Sequence, residues 1–168
     1  MKKPPAEVVA SLLAVSTIFI SMPPYHLPPW AIFISWAGTF AMGGPKKDNL
    51  KRIWPVMPLG SITAFLIVLG FNEASKHYSG NDFILAQCVI LFCLNGGMML
   101  LARIIPALSF IPGMFFGFAS YFATLFGGFG PVPHDPVAAL VAVVMMNALG
   151  PAYAWMTANW GAHHSEQH

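Results

Sequence analysis

The sequence predicts an all-α, polytopic membrane protein with six transmembrane helices. Three observations predict it. Of 168 residues, 57% are hydrophobic and only 8% are charged, whereas a soluble domain carries about 25% charged residues and needs them to cover its surface. The apolar residues gather into six runs separated by proline, glycine or charged punctuation. No Asp, Glu, Lys, Arg or His lies in the middle of a run. At about 20 residues for each crossing of a hydrocarbon core roughly 30 Å thick, the chain accommodates six spans in one domain over residues 1–168. This composition excludes a soluble enzyme and a disordered chain, and a net charge of +2 offers no basic surface for nucleic acid.

The first run, 6–22, follows Lys2 and Lys3 and ends at Met22-Pro23-Pro24. No small-x-small cleavage site follows it, so it reads as a retained span and not as a secretory signal. The second run, 30–43, is short, about 21 Å as a helix. Counting it as a true span, and not as a re-entrant segment, keeps the basic cluster Lys46, Lys47, Lys51 and Arg52 on the side of Lys2 and Lys3. That cluster reads as a loop. The third run, 54–71, carries Pro55 and Pro58 in its first turns, where proline is tolerated. A polar connection over 72–82 leads to the fourth run, 83–102, closed by Arg103. The fifth, 106–126, ends at the loop Gly127-Gly128-Phe129-Gly130-Pro131. The sixth covers 136–155, and a polar tail, 156–168, follows.

Six spans with a cytoplasmic amino terminus place Lys2, Lys3, Lys46, Lys47, Lys51, Arg52 and Arg103 inside and only Lys76 outside, beside Glu73 and Asp82. Both termini are then cytoplasmic. Trp30, Trp54, Trp155 and Trp160 fall near span ends, where amphipathic rings favour the headgroup region. The two cysteines, Cys88 and Cys93, lie five apart in the fourth run and point away from each other on a helix, so they read as small apolar core residues and not as a disulfide.

A shift of 82 residues superimposes the first three spans on the last three without gaps, and Trp36-Ala37-Gly38-Thr39-Phe40-Ala41 falls on Phe118-Ala119-Ser120-Tyr121-Phe122-Ala123. The repeats would cover 6–72 and 83–155. Three spans per repeat is an odd number, so a duplication makes a 3+3 inverted repeat, the architecture that sets transport sites at the repeat interface near the midplane. Regular spacing in any six-helix bundle produces a similar match.

Ionisable groups inside the bilayer mark proton relays and ion-coupled transport, and here they are missing. The polar residues of the runs are neutral. Asn95 precedes Gly96-Gly97 in the fourth run, and Asn147 lies just before Gly150-Pro151 in the sixth. Trp36 and Thr39 in the second run, and Ser120, Tyr121 and Thr124 in the fifth, complete a set of pathway candidates for an uncharged solute. The competing reading is plain helix–helix hydrogen bonding, worth about 0.6 kcal/mol per contact. Gly113 and Gly117 form a G-x-x-x-G face, and with Gly96 and Gly97 they are helix-packing candidates, within the chain or between copies. Five phenylalanines between Phe115 and Phe126 fill the core, face lipid or constrict a pathway. His134 and Asp135 are vestibule candidates, although Asp135 before Pro136 also reads as a helix N-cap. His163, His164 and His168 sit in the tail. No metal-ligand spacing, phosphate loop or haem motif occurs, so neither a cofactor nor an enzymatic activity is expected.

The stretch from Trp30 to Gly44 with its Trp36–Phe40 core, the basic loop after it, and the stretch from Ile111 to Gly128 resemble the YcdZ-like family of small bacterial inner-membrane proteins, a domain of unknown function. The resemblance implies a multi-pass inner-membrane protein and carries over no catalytic residue. The chain is therefore expected to be a channel or facilitator for a small uncharged solute of the urea or amide, ammonia, gas or short-alcohol class, embedded in the lipid bilayer as a homo-oligomer or beside another membrane protein. The alternative is a non-catalytic accessory subunit packed on a larger membrane complex.

Overall fold

Proline and glycine punctuation sets the helix ends. In this computed structural model, which describes residues 3–162, the chain folds as α1 (Ala6–Ser21), α2 (Pro29–Ala41), α3 (Lys47–Ala74), α4 (Gly80–Ile104), a 3₁₀ turn (Pro106–Leu108), α5 (Ile111–Phe126) and α6 (Pro136–Trp160). Lys2 and the tail residues His163, His164 and His168 lie outside the described residues.

All six predicted runs are helical, with shifted ends. The basic cluster expected as a loop forms the start of α3 instead. Asp48 sits in that first turn, favourable for the helix dipole, and the Asn49 amide donates to the carbonyls of Met42 and Gly44, at 2.9 Å each. Pro55 and Pro58 consequently stand inside α3 and not at its start. The fifth helix begins later than predicted, because Pro106 opens a 3₁₀ turn and Pro112 restarts the chain at the first turn of α5. The sixth runs five residues further, to Trp160.

Helix length divides the elements. α3, α4 and α6, with 28, 25 and 25 residues, are long and apolar enough to cross a membrane. α1 and α5 have 16 residues each and α2 has 13, which at 1.5 Å per residue is about 24 Å and about 20 Å. Pro28 and Pro29 bound α2 at one end and Gly43 and Gly44, both at positive φ, bound it at the other.

α2, α3, α5 and α6 form the centre, with α3 packed along α5 and α2 along α6. α1 lies outside on α6, and α4 lies outside on α3. Glycines allow the two central pairs to approach. A Cβ at Gly117 would overlap the Met57 carbonyl, one at Gly60 the Met114 carbonyl, and one at Gly150 the Ser35 hydroxyl and the Trp36 amide. The main core gathers Ile32, Trp36, Tyr121, Val143 and Ala154. A smaller cluster of Val56, Met98, Ala102 and Met114 ties α4 and α5 to α3.

α4 shows a wide apolar face to the surroundings, with Phe92 80% exposed. Cys88 and Cys93 are free and exposed on it, which corrects the expectation of core cysteines. An all-round apolar helix carries no pattern that separates a lipid-facing position from a buried one.

The described chain ends lie together. Ala6 N–H donates to the Ala162 carbonyl at 3.1 Å, and Ala162 N–H donates to Pro4 at 2.7 Å. The Lys3 ammonium donates to the Asn159 carbonyl at 2.7 Å. A cleft of about 460 Å³ at the same end separates Ala158 and Asn159 from Gly43, Gly44 and Lys46. At the opposite end Gly130 N–H donates to the His26 carbonyl at 2.8 Å, and Trp30 meets Phe129 edge to face with centroids 4.2 Å apart. Lys76 pairs with Glu73 at 2.6 Å at that end of α3.

Candidate functional site

A seam of neutral polar side chains runs through the central four helices. Local geometry explains most of it. Inside a helix, a serine or threonine hydroxyl reaches the carbonyl three or four residues back. Thr39 donates to the Ser35 carbonyl at 2.8 Å, Thr124 to that of Ser120 at 2.7 Å, and Thr157 to that of Tyr153 at 2.9 Å. All three are buried. Their donors are spent on their own helices, and they offer a passing molecule only methyl groups and remaining lone pairs.

Two serine hydroxyls of the central helices donate across to a neighbouring helix. The Ser61 hydroxyl of α3 donates to the Gly117 carbonyl of α5 at 3.0 Å, at the point where Gly117 lets the helices touch. The Ser120 hydroxyl of α5 donates to Asn147 Oδ1 of α6 at 3.3 Å. Asn147 is 1% exposed, and its Nδ2 has no hydrogen-bond partner. Beside it lies a small cavity of about 40 Å³ lined by Trp54, Met57, Pro58, Val144, Asn147 and Ala148. The Trp54 indole donates to the Ala148 carbonyl at 3.1 Å and forms the outer wall.

Prolines weaken the backbone ladder at this point on both helices. Pro58 has no N–H for the Trp54 carbonyl, and Pro151 has none for the Asn147 carbonyl. α3 and α6 thus each lose one helical hydrogen bond at a residue that lines the cavity.

The remaining candidates divide by position. Trp36 is buried and packs edge to face on Tyr153, with centroids 5.5 Å apart, while the Tyr153 hydroxyl meets Ser16 of α1 at 2.7 Å. Tyr121 is buried and donates to the Pro136 carbonyl at 3.2 Å. Gly113 and Gly117 pack against α3, at Val56 and Met57 respectively, so this face serves contacts within the chain. Phe118, Phe122 and Phe126 line one flank of α5, from part-buried to exposed; Phe118 meets Phe122 edge to face with centroids 5.0 Å apart, and Phe122 stacks on Phe126 at 5.7 Å.

Asn95 stands apart from the seam. It lies on α4, its Nδ2 lies 3.9 Å from Met99 Sδ of the same helix, and its Oδ1 is unpartnered. It does not line the cavity at Asn147. A Cβ added at Gly96 or Gly97 would meet nothing within 4 Å beyond the helix's own backbone, and α4 runs unbroken through them. Within the chain they are open positions and not packing contacts, because α4 turns only its other flank, with Met98 and Ala102, to α3.

Asp135 is the N-cap of α6: its Oδ1 accepts from Ala138 N–H at 2.6 Å, with Pro136 next. His134, at φ 60°, contacts the Leu125 carbonyl through Nδ1 at 3.0 Å. It borders a cleft of about 160 Å³ with Asn72, Leu125 and Phe126. The two residues act on different partners and do not form an acid–base pair. Among the described residues, no group of three His, Cys, Asp or Glu side chains could hold a metal ion.

The cavity walls were not legible in the sequence. Trp54 reads there only as an interfacial ring, and Met57, Val144 and Ala148 as generic apolar residues. The one available signal was Pro58 four residues after Trp54, the spacing that strips a carbonyl of its donor.

A family model described as "Protein of unknown function (DUF1097)" matches residues 7–162. The chain belongs to this family. The match spans all six helices apart from the first residue of α1, so DUF1097 is a family of the whole bundle and not of one part of it. No curated protein and no solved structure matches the chain.

Proposed function

We propose that this DUF1097 chain is a YcdZ-like multi-pass protein of the bacterial inner membrane that lets a small uncharged solute pass by facilitated diffusion, without catalysis. The observation that carries the reading is Asn147: a fully buried amide donor with no partner, beside a cavity, at the crossing of α3, α5 and α6. Leaving a buried donor unpaired costs about 1–3 kcal/mol. Such a cost is retained where an unmade hydrogen bond has a use.

Six crossings and cytoplasmic termini are part of the proposal. Their support is the succession of helices between two ends, with Lys3, Lys46 and the described chain ends at one and Lys76 at the other. The shorter α1, α2 and α5 cross by local thinning of the bilayer around them. An inverted repeat is also part of it. Exchanging α1 with α4, α2 with α5 and α3 with α6 turns the α2–α6 pair into the α5–α3 pair, and α1 on α6 into α4 on α3. The contact of Ser35 with Gly150 becomes that of Gly117 with Ser61. Ser35 and Gly117 are 82 apart, but Ser61 and Gly150 are 89 apart (150 − 61). The longer α5–α6 loop accounts for much of that offset, so the third pair needs a gap.

Proteoliposome flux with a panel of neutral solutes tests the reading. Ammonia, water, urea or a short alcohol should cross faster than in empty vesicles. Flux equal to empty vesicles for every solute overturns it. The open face of α4 favours a second reading, an accessory subunit or a homo-oligomer joined helix to helix. Native purification with a second membrane protein at fixed stoichiometry, and no flux, decides for the accessory subunit.

A further inference from the structure

We propose that the cleft between the ends of α2 and α6 binds the anionic headgroup of a membrane phospholipid, with Lys46 and Lys3 as the groups that select its charge. The inference rests on the reading that the bundle crosses a bilayer, and not on solute passage.

Place comes first. The cleft opens where α2 gives way to the Gly43-Gly44-Pro45 turn and where α6 ends, beside the described chain ends. The ends of spanning helices stand in the headgroup layer. Trp160, exposed, closes α6 at this level, where an indole ring favours the interface. The cleft holds about 460 Å³, and small-molecule sites run from about 300 to 1,000 Å³.

Chemistry comes second. The backbone donors of the turn are already used: Gly43 N–H donates to the Phe40 carbonyl, Gly44 N–H to that of Thr39 and Lys46 N–H to that of Gly44. What the cleft offers a ligand is therefore cationic side chains. Lys46 lines it and is exposed. The Lys3 ammonium is held at its α6 wall by the Asn159 carbonyl, 2.7 Å away. Among the described residues no carboxylate lines the cleft, and the ion pairs are made by Glu73 at the opposite end. Phe40 and Ala158 add an apolar wall. A phospholipid uses both parts, its phosphate against the ammonium groups and its glycerol and first methylenes against the wall. A free anion has no use for the wall.

The surrounding charge has the same sign. Lys47, Lys51 and Arg52 follow in the first turns of α3. The described acids at this end are Glu7, which lies on the outer flank of α1 beside Val8 and Leu12, and Asp48, which does not line the cleft. A basic pocket between spanning helices, beside a cluster of lysine and arginine, is an arrangement that captures anionic lipid headgroups.

Native mass spectrometry of the full chain released from detergent micelles tests this. Palmitoyl-oleoyl phosphatidylglycerol and palmitoyl-oleoyl phosphatidylcholine are added at equal concentration. The wild-type protein should keep one phosphatidylglycerol in preference to phosphatidylcholine. A lysine near an anionic lipid is worth about fivefold in affinity, so Lys46→Gln should cut the preference about fivefold, and Lys3→Gln with Lys46→Gln about thirtyfold. Lys51→Gln removes the same charge outside the cleft and should leave the preference unchanged. Ala158→Leu narrows the cleft, keeps both ammonium groups and should weaken retention. A wild-type protein without preference overturns the inference. Equal losses in Lys46→Gln and Lys51→Gln overturn it too, because they describe a diffuse positive end and not a site. Displacement of the lipid by inorganic phosphate at equal concentration assigns the cleft to a soluble anion and overturns it. A preference that emerges only in Glu166→Gln assigns the cleft to the chain's own tail, with the same consequence. None of these outcomes touches the membrane reading, which fails instead if the chain stays soluble without detergent.

Discussion

Asn147 and Asn95 show how much a residue's meaning depends on what surrounds it. Both are asparagines in apolar helices close to glycine pairs or Gly-Pro. Only Asn147 is enclosed, with Ser120 on one side and the cavity on the other. Asn95 is partly exposed on the outer helix. The glycines divide in the same way. Gly117 touches the backbone of α3, so a methyl group there must push two helices apart, whereas Gly97 faces open space. Gly117→Ala should cost about 1–3 kcal/mol, the range for overpacking a close contact, and should lower the thermal unfolding midpoint in detergent. Gly97→Ala should leave that midpoint unchanged or raise it slightly, because alanine is the better helix former by about 1 kcal/mol. Equal shifts in the two variants would contradict the packing described here.

Among the elements, α4 is the one whose surroundings are least protein-like. Its outward residues, from Ile84 to Ile104, are large and apolar, and Cys88 and Cys93 stand among them. A spin label on either cysteine, with the other changed to serine, should be strongly relaxed by dissolved oxygen and weakly by a water-soluble nickel chelate in reconstituted vesicles. The reverse ratio would place α4 against water. The central helices differ because their contacts are close. α3 meets α5 through Gly60 and Gly117, and α2 meets α6 through Gly150. Small residues at crossings let dispersion and cross-helix hydrogen bonds hold helices together where lipid gives no hydrophobic drive.

At the scale of the whole molecule, the decisive feature is the separation of charge between two ends. Lys3 and Lys46 lie with the described chain ends, and Lys76 lies across the bundle from them beside Glu73. In a background with both natural cysteines changed to serine, Lys76→Cys should react with an impermeant maleimide in intact cells. Lys46→Cys should react only after the membrane is opened. Labelling of both from one side would remove the six-crossing arrangement, and with it the inverted repeat.

Composition pointed to a membrane, because a chain with 8% charged residues has few charges with which to cover a water-facing surface, and the structure supplies three helices long and apolar enough to cross one. Proline, glycine and charge placement marked all six helices, and Asp135-Pro136 announced its own cap. Those signals are local, acting within a few residues of the chain. Their limits are local too. The start of α3 was hidden because a basic cluster reads as a loop until Asn49 is seen holding the turn. Which apolar face meets lipid and which meets another helix was left to the tertiary structure, because hydrocarbon and a packed protein interior select the same side chains. For that reason only the packed bundle distinguished Asn147 from Asn95, turned Gly117 toward α3 and Gly97 away from it, and set Trp54, Pro58 and Asn147 around one cavity.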